Sequence, residues 1–347
     1  MLLAYLIAAA LAPTPSPAPT PAFETHDYRV EAGDVELAGR LFAPRGATTY
    51  PLVILVQGAD YNDANASVYW RLIAHTYAKN GIASFSFNKR GIAGSTGTQT
   101  DDPTVQARDV AAVCRFASSL PGVMANHVGY FGTSQGGWIV PRALRSCPGS
   151  FVILASPAGV AAADEIGYYL WNQYRAVGMS PNEAKAAEAL HATLAAYYRT
   201  GSGYRAAQNA VDRAVASSWY AKLQKVDYRQ DIPDSHRLPT PEQLTIENRR
   251  DPSTYALYRD PNSWSVPRDL YASLTAPLLL VYGGKDVNLD VLKSIDVFQR
   301  ALSANGNVDV TIRIFETADH SIQIGPRLLP GYREYMSAWI LQHVAQP

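Results

Sequence analysis

The sequence has few cysteines, no excess of charge of either sign and almost no long apolar run. Only 2 of its 347 residues are cysteines, and their spacing fits no zinc motif. The 30 basic and 30 acidic residues balance without long runs, which argues against a nucleic-acid partner or a polybasic membrane anchor. A dinucleotide fingerprint and a P-loop are also missing. None of these common cofactor-dependent or metal-dependent enzyme classes is therefore indicated, and no cofactor is expected.

The long uninterrupted apolar run lies at the start of the chain, in Met1–Ala12. As a helix it would rise about 18 Å, too little for a bilayer core of roughly 30 Å. We interpret residues 1–22 as a secretory signal segment followed by a Pro-rich tether. The predicted location is periplasmic or secreted, or cytoplasmic if the run is not a signal. In an exported protein Cys114 and Cys147 could form one disulfide; the alternative is two buried thiols.

Hydrophobic patterning predicts an α/β fold, with a mostly parallel central sheet flanked by helices. Continuous apolar runs such as Leu52–Val56 are typical of strands buried on both faces, and they alternate with helical patterns. The alternation stops between residues 161 and 270, where the chain reads as helical and irregular. We therefore predict a core formed by residues 23–160 and 271–347, with a mostly helical cap, residues 161–270, inserted into it.

A Gly-Thr-Ser-Gln-Gly sequence, residues 132–136, matches the pattern G-x-S-x-G. It follows an apolar strand and precedes a helical segment, which is the setting of a nucleophile elbow. The turn is so tight that its flanking positions require glycine. Such a turn lifts the serine hydroxyl above the sheet, at the N-terminus of a helix. The motif predicts Ser134 as a nucleophile, whereas a Gly/Ser-rich loop without catalysis is the alternative.

A serine nucleophile needs a base, and the base needs an acid that orients it. His320 follows a predicted strand shortly before the last helix, and Asp286 lies just past a buried strand. The chain order Ser, Asp, His is the one that accompanies a nucleophile elbow. Two other acids compete with Asp286: Asp290 is expected to cap a helix, and Asp319 is adjacent to the histidine in sequence. We predict Ser134, Asp286 and His320 as the catalytic residues.

The negative charge that develops on an attacked carbonyl oxygen requires two backbone N–H donors. One is predicted at Gln135, the residue after the nucleophile. The other is expected in the loop after the third strand, at Ala59, with Asp60 as the second choice.

With these residues in order, the chain resembles the α/β-hydrolase superfamily from Asp27 onward. It is most similar to bacterial secreted or periplasmic esterase-like hydrolases related to the dienelactone-hydrolase and serine-aminopeptidase groups. The resemblance rests on the elbow, FGTSQGGW, and on Asn88–Gly97, which is similar to the segment D-K-R-G-x-G-x-S-x-G of these proteins. It implies hydrolysis of a small-molecule carboxylic ester through an acyl-enzyme, without a cofactor.

The sequence departs from that family pattern at four places. Asn88 and Ala93 replace an aspartate and a glycine, Gln57 replaces the usual histidine of the oxyanion loop, and Asp319 replaces a frequent asparagine. We expect Gln57 to brace its loop by hydrogen bonding. Lys89 and Arg90 could bind an anionic substrate or brace the loop behind the elbow.

Several functions remain open at this level. The serine could cleave esters, amides (as an aminopeptidase or amidase) or thioesters, and a non-catalytic binding protein is less favoured because all three triad residue types are present. The predicted cap is rich in aromatic residues, which either line an apolar ester site or pack cap helices together: Tyr168, Tyr169, Trp171, Tyr174, Tyr197, Tyr198, Trp219 and Tyr220. An aminopeptidase would need a cap acid for the substrate ammonium, and the candidates read as exposed helix residues: Asp164, Glu165, Glu183 and Glu188.

Overall fold

The computed structural model describes residues 23–226, 232–250 and 269–344. The predicted signal segment and tether, residues 1–22, lie outside these ranges. Two parts of the predicted cap, residues 227–231 and 251–268, also lie outside them.

An eight-stranded sheet forms the centre of the molecule, with the strand order β1-β2-β4-β3-β5-β6-β7-β8. The pairs β1–β2 and β2–β4 are antiparallel, and the other neighbouring pairs are parallel. The prediction of a mostly parallel sheet is confirmed. The strands are β1 (Phe23–Ala32), β2 (Val35–Pro44), β3 (Tyr50–Val56), β4 (Ala83–Phe87), β5 (Val123–Thr133), β6 (Val152–Ala155), β7 (Leu278–Gly283) and β8 (Val310–Phe315); β9 (Gln323–Ile324) and β10 (Arg327–Leu328) form a separate pair.

Helices cover the sheet and predominate in the described part of the segment between β6 and β7. In the described ranges, no helix combines the length and apolar character needed to cross a membrane. The helices are α1 (Val68–Lys79), α2 (Pro103–Ser118), α3 (Gly136–Leu144), α4 (Ala162–Ala176), α5 (Pro181–Thr200), α6 (Tyr204–Val215), α7 (Tyr220–Leu223), α8 (Pro241–Arg250), α9 (Val291–Asn305) and α10 (Tyr332–Val344), with a 3-10 helix at Leu270–Ser273.

Strand β3 shows why these apolar runs become central strands. Leu52 and Ile54 point into one apolar cluster, together with side chains of α2, α3 and α9. Val53 and Leu55 point to the opposite face, into a second cluster with side chains of α1 and α10. All four side chains are buried, and each contributes about 1.5–3 kcal/mol to folding. A run without polar alternation is therefore stable only between two layers of helices.

The helices between β6 and β7 have an apolar cluster of their own. Tyr174, Tyr197 and Tyr198 are buried in it. Of the other aromatic residues singled out in the sequence, four pack against this cluster: Tyr169, Trp171, Trp219 and Tyr220. Most of the aromatic residues singled out in the sequence therefore hold the inserted helices together, which favours packing over the lining of a substrate site.

Cys114 of α2 and Cys147, just after α3, form a disulfide. It joins residues 33 positions apart in sequence and links two helices that pack on the same face of the sheet. Of the two alternatives that the sequence left open, the structure contains the disulfide.

Removing this disulfide with the double variant Cys114→Ala/Cys147→Ala is expected to lower the free energy of unfolding by about 4 kcal/mol. The reason is that the cross-link restricts the unfolded chain over a loop of this length. Urea unfolding with and without dithiothreitol measures the effect. Reduction should destabilise the wild type and leave the double variant unchanged, whereas a wild type insensitive to dithiothreitol would contradict the cross-link.

Candidate active site

Ser134 occupies a sharp turn between β5 and α3. Its φ of +50° lies in the left-handed region, which non-glycine residues adopt only when surrounding contacts enforce it. Those contacts are present: the Ser134 N–H donates to the Ala155 carbonyl at 2.9 Å, and the Ser134 carbonyl accepts from Gly137 N–H at 2.8 Å. The turn carries the side chain to the carboxyl edge of the sheet, at the N-terminus of α3.

His320 lies in the loop that follows β8. Its carbonyl accepts a hydrogen bond from Ser156 Oγ at 2.6 Å. The adjacent Asp319 carboxylate accepts from the N–H groups of Ser321 and Gln323, at 3.0 and 2.9 Å. Asp319 therefore stabilises the loop backbone, and Ser156 fixes the backbone of the histidine itself.

Asp286 follows β7, and its carboxylate is buried. Oxygen Oδ1 accepts from the N–H groups of Asn288 and Leu289, at 2.8 and 3.2 Å. The chain before it passes very close to the histidine loop, because a Cβ on Gly283 would lie 2.0 Å from the Asp319 carbonyl oxygen. Only glycine permits this approach, which brings the acid within reach of His320.

The structure brings the three predicted side chains into one hydrogen-bonded row. His320 Nε2 lies 3.0 Å from Ser134 Oγ, and His320 Nδ1 lies 2.7 Å from Asp286 Oδ2. The competing acid Asp290 instead caps α9, where its carboxylate accepts from Lys293 N–H at 3.0 Å. This is the geometry in which a histidine accepts the serine proton while a carboxylate holds the other ring nitrogen.

The pKa of His320 is raised above its ordinary value. Burial acts in the opposite direction and lowers the pKa, but the hydrogen bond that His320 donates to Asp286 and the negative charges of Asp286, Glu165 and Asp319 outweigh it. The site therefore stabilises a protonated imidazole, which is the state that forms when the serine is deprotonated.

The loop after β3 lies directly against the nucleophile. A Cβ on Gly58 would lie 3.0 Å from Ser134 Cβ. In the described part of the chain, neither the Ala59 N–H nor the Gln135 N–H donates to a protein acceptor. Among the described residues, both predicted oxyanion donors are thus without a protein acceptor, Gln135 directly after Ser134 in the chain and Ala59 directly after Gly58. Ala59 and Asp60, the second choice, are both exposed.

The departures from the family pattern have local explanations. Gln57 is buried, and its Nε2 donates to the Phe87 carbonyl at 3.3 Å, so it braces the loop. Asn88 is buried as well and accepts from Ala64 N–H at 2.7 Å while donating to the Ala93 carbonyl at 2.9 Å. Ala93 has a φ of +40°, a conformation that explains why glycine is common there.

Glu165 is a site residue that the sequence analysis placed among exposed helix residues, and that expectation was wrong. It is partly buried in the first turn of α4, where it interacts electrostatically with His320 and Asp286. Burial raises its pKa to about 7, with Asp286 adding to the rise and His320 opposing it. No local pattern distinguishes it from its neighbour Asp164, which pairs with Lys293 at 3.5 Å.

The other predicted cap acids lie outside this row of residues. Glu183 forms an ion pair with Lys222 at 2.8 Å and a capping box with Ser180, and these hydrogen bonds lower its pKa. Glu188 is exposed.

The sheet order, the sharp turn at the serine and the row of three side chains define an α/β-hydrolase. A family model for the X-Pro dipeptidyl-peptidases (S15 family) matches residues 33–321, and the chain belongs to that family. It is a hydrolase of the S15 type, and the superfamily expected from the sequence is confirmed. Comparison with curated protein sequences finds no match.

Three solved structures illustrate the likeness in fold. Esterase Pf2001 of Pyrococcus furiosus is 18% identical with a TM-score of 0.55, over 95% of this chain and 96% of that one. DcsB, in complex with its substrate analogue, is 16% identical with a TM-score of 0.56, over 93% and 100%. Est1E from Butyrivibrio proteoclasticus is 15% identical with a TM-score of 0.51, over 92% and 99%. At these identities the likeness concerns the fold alone.

Proposed function

We propose that this protein hydrolyses carboxylic esters through an acyl-enzyme formed on Ser134. The observation that carries the proposal is the row Ser134, His320 and Asp286, with donor–acceptor distances of 3.0 and 2.7 Å. A serine hydroxyl is a weak nucleophile until a base takes its proton, and His320 Nε2 is within reach to do so. The names of the esterases with the same fold add support.

In the proposed first half-reaction, His320 accepts the Ser134 proton as Oγ attacks the ester carbonyl. The carbonyl π electrons move to oxygen, which accepts hydrogen bonds from the N–H groups of Gln135 and Ala59. The tetrahedral intermediate then collapses, the bond to the alcohol oxygen breaks, and His320 donates its proton to that oxygen. The products are the free alcohol and an ester of Ser134.

In the second half-reaction, water replaces the alcohol. His320 takes a proton from the water as its oxygen attacks the acyl carbonyl, and the same backbone groups hold the oxyanion. Collapse of this intermediate breaks the bond to Ser134 Oγ, which regains its proton from His320. Throughout both halves Asp286 accepts a hydrogen bond from Nδ1 and compensates the imidazolium charge.

A peptidase activity on the same residues is the second candidate, and two observations favour it. The matching family is described as X-Pro dipeptidyl-peptidases. In addition, the Glu165 carboxyl lies on the site side of α4, close enough to interact with His320 and Asp286. A carboxylate there can pair with the ammonium group of a peptide substrate, which an ordinary ester lacks.

Hydrolysis of p-nitrophenyl esters beside aminoacyl and X-Pro p-nitroanilides separates the candidates. We expect ester turnover to exceed anilide turnover, and Glu165→Gln to leave ester kcat/KM within about threefold. The matched control is Asp164→Asn, one residue earlier on the same helix. Cleavage confined to anilides, with a loss in Glu165→Gln that Asp164→Asn does not share, would reject the esterase and establish the peptidase.

A further inference from the structure

Lys89 is a buried cation next to the oxyanion loop. Its side chain is 7% exposed, and its Nζ donates to the Gly58 carbonyl. The same Nζ lies 3.4 Å from Gln135 Oε1 and 4.9 Å from the centre of the Tyr61 ring. Within the described residues, Lys89 forms no ion pair with a carboxylate. Burial of an ammonium that is balanced mainly by a carbonyl is costly, so its position calls for a specific role.

The Gly58 carbonyl belongs to the same peptide unit as the Ala59 N–H. In a planar trans peptide the two groups point in opposite directions, and no cis peptide occurs in the described ranges. Because Lys89 holds the Gly58 carbonyl, the direction of the Ala59 N–H is fixed as well. This peptide unit lies beside the nucleophile, because a Cβ on Gly58 would be only 3.0 Å from Ser134 Cβ. Rotation of this peptide unit would turn its carbonyl in the direction that the Ala59 N–H now takes.

The second contact of Lys89 reaches the other donor residue. Gln135 supplies the N–H that follows the nucleophile, and its side-chain oxygen faces the same ammonium. We propose that Lys89 positions the oxyanion hole by holding the Gly58–Ala59 peptide and the Gln135 side chain together. This inference rests on the proposed acyl-enzyme chemistry, since it assigns a role within that reaction.

The neighbouring Arg90 does not share this role. Its guanidinium is turned to Asp109, at 2.7 Å, and to Asp34, at 3.6 Å. The sequence had offered Lys89 as a ligand for anionic substrates or as a brace, and its contacts favour the brace. An ammonium engaged by a carbonyl, an amide oxygen and an aromatic ring has little capacity left for a substrate.

The surroundings of Lys89 also predict a pH signature. Burial lowers the pKa of Lys89 to about 8, and the negative charge of Asp60 opposes the shift. Tyr61, which faces the ammonium, is itself hydrogen-bonded to Asp101, and burial raises the pKa of that carboxyl. As pH rises through this range the ammonium loses a donor and its charge. The hold on the Gly58 carbonyl then weakens, so turnover should fall.

The test compares Lys89→Met and Lys89→Arg with wild type, using Lys79→Met at an exposed lysine as the matched control. For Lys89→Met we expect kcat on p-nitrophenyl butyrate to fall about 10- to 100-fold, with KM nearly unchanged. Affinity for a trifluoromethyl ketone, which forms a tetrahedral oxyanion on the serine, should fall by a similar factor. Lys89→Arg keeps a donor and should lose less, and Lys79→Met should match wild type.

The pH profile of kcat is the measurement that separates a positioning role from a purely structural one, because substitution of a purely structural lysine would not shift its alkaline limb. The alkaline limb of the wild-type kcat profile should lie near pH 8 and move to higher pH in Lys89→Arg. If Lys89→Met fails to fold, as judged by circular dichroism, this shift still decides the question. Unchanged kcat, inhibitor affinity and alkaline limb in the folded variants would overturn the role of Lys89.

Labelling with a fluorophosphonate distinguishes the failure of this inference from failure of the proposed function. Its reaction with Ser134 needs the nucleophile and the oxyanion hole but no natural substrate. Labelling that depends on Ser134 and slows in Lys89→Met supports the inference. If wild type and Lys89→Met are labelled at equal rates, the role of Lys89 is overturned and the proposed function stands. If the wild type shows no labelling that depends on Ser134, the proposed function is overturned as well.

Discussion

A Ser134→Ala variant is expected to hydrolyse p-nitrophenyl esters about 10⁴- to 10⁶-fold more slowly in kcat than the wild type. Without the hydroxyl no acyl-enzyme forms, and water must attack the substrate directly. What remains is the stabilisation that the backbone N–H donors give to the oxyanion. Removing the side chain should not disturb the turn, because the contacts that hold it are made by the backbone of Ser134.

Active-site titration with a fluorophosphonate, followed by ester turnover, checks this expectation. The wild type should take up one equivalent and the variant none. Ser119→Ala is the matched control, since this exposed serine lies at the end of α2 and its Oγ caps the Phe116 carbonyl. It should keep full labelling and turnover. Wild-type turnover in a pure, unlabelled Ser134→Ala preparation would refute Ser134 as the nucleophile.

An Asp286→Asn variant is expected to lose about 10⁴-fold in kcat while it remains folded. The carboxylate accepts from His320 Nδ1 at 2.7 Å, whereas an amide nitrogen there would donate and favour the wrong tautomer. His320 would then present a protonated Nε2 to the serine, and it could not act as a base. Loss of the carboxylate also removes the charge that stabilises the imidazolium.

The pH profile gives this variant a second signature. Only neutral His320 can accept the serine proton, and its raised pKa places the wild-type acid limb of kcat/KM above the ordinary value of about 6.5. Removing the negative charge of Asp286 lowers that pKa. The acid limb of Asp286→Asn should therefore move to lower pH, and a stationary limb would contradict the role of Asp286.

Asp290→Ala is the matched control for the acid. Asp290 lies four residues beyond Asp286 and caps α9, so its loss should lower the free energy of unfolding by about 1 kcal/mol. Thermal unfolding should detect that change while kcat stays within about twofold of wild type. If Asp290→Ala lost its turnover while Asp286→Asn kept normal turnover, Asp290 and not Asp286 would be the acid that orients His320.

Much of the fold could be predicted because its signals are local. The hairpin at Gly33 is one such case, since the glycine has the positive φ of +72° that the turn requires. Asp102 and Pro103 are another: the aspartate accepts from Thr104 N–H at 2.7 Å and begins α2. Turns, caps and apolar runs involve residues a few positions apart, so they can be predicted from short stretches of sequence.

Residues whose function depends on distant partners were harder to interpret. Glu165 and Asp164 are adjacent acids in one helical turn, yet only Glu165 interacts with His320 and Asp286. Lys89 left two roles open, because its partners Gly58 and Gln135 lie 31 and 46 positions away. Cys114 and Cys147 likewise left the disulfide undecided until α2 and α3 were seen on the same face of the sheet.

The sequence by itself determined the alternation of strands and helices, the sharp turn at Ser134 and the identity of the three polar residues that follow strands. The tertiary structure decided which of them meet. Ser134 and His320 are separated by 186 positions, and they approach because β5 and β8 belong to the parallel part of one sheet, where the carboxyl ends of the strands share an edge. Distances of about 3 Å depend on strand order and on close backbone approaches. Those are fixed only when the whole core packs.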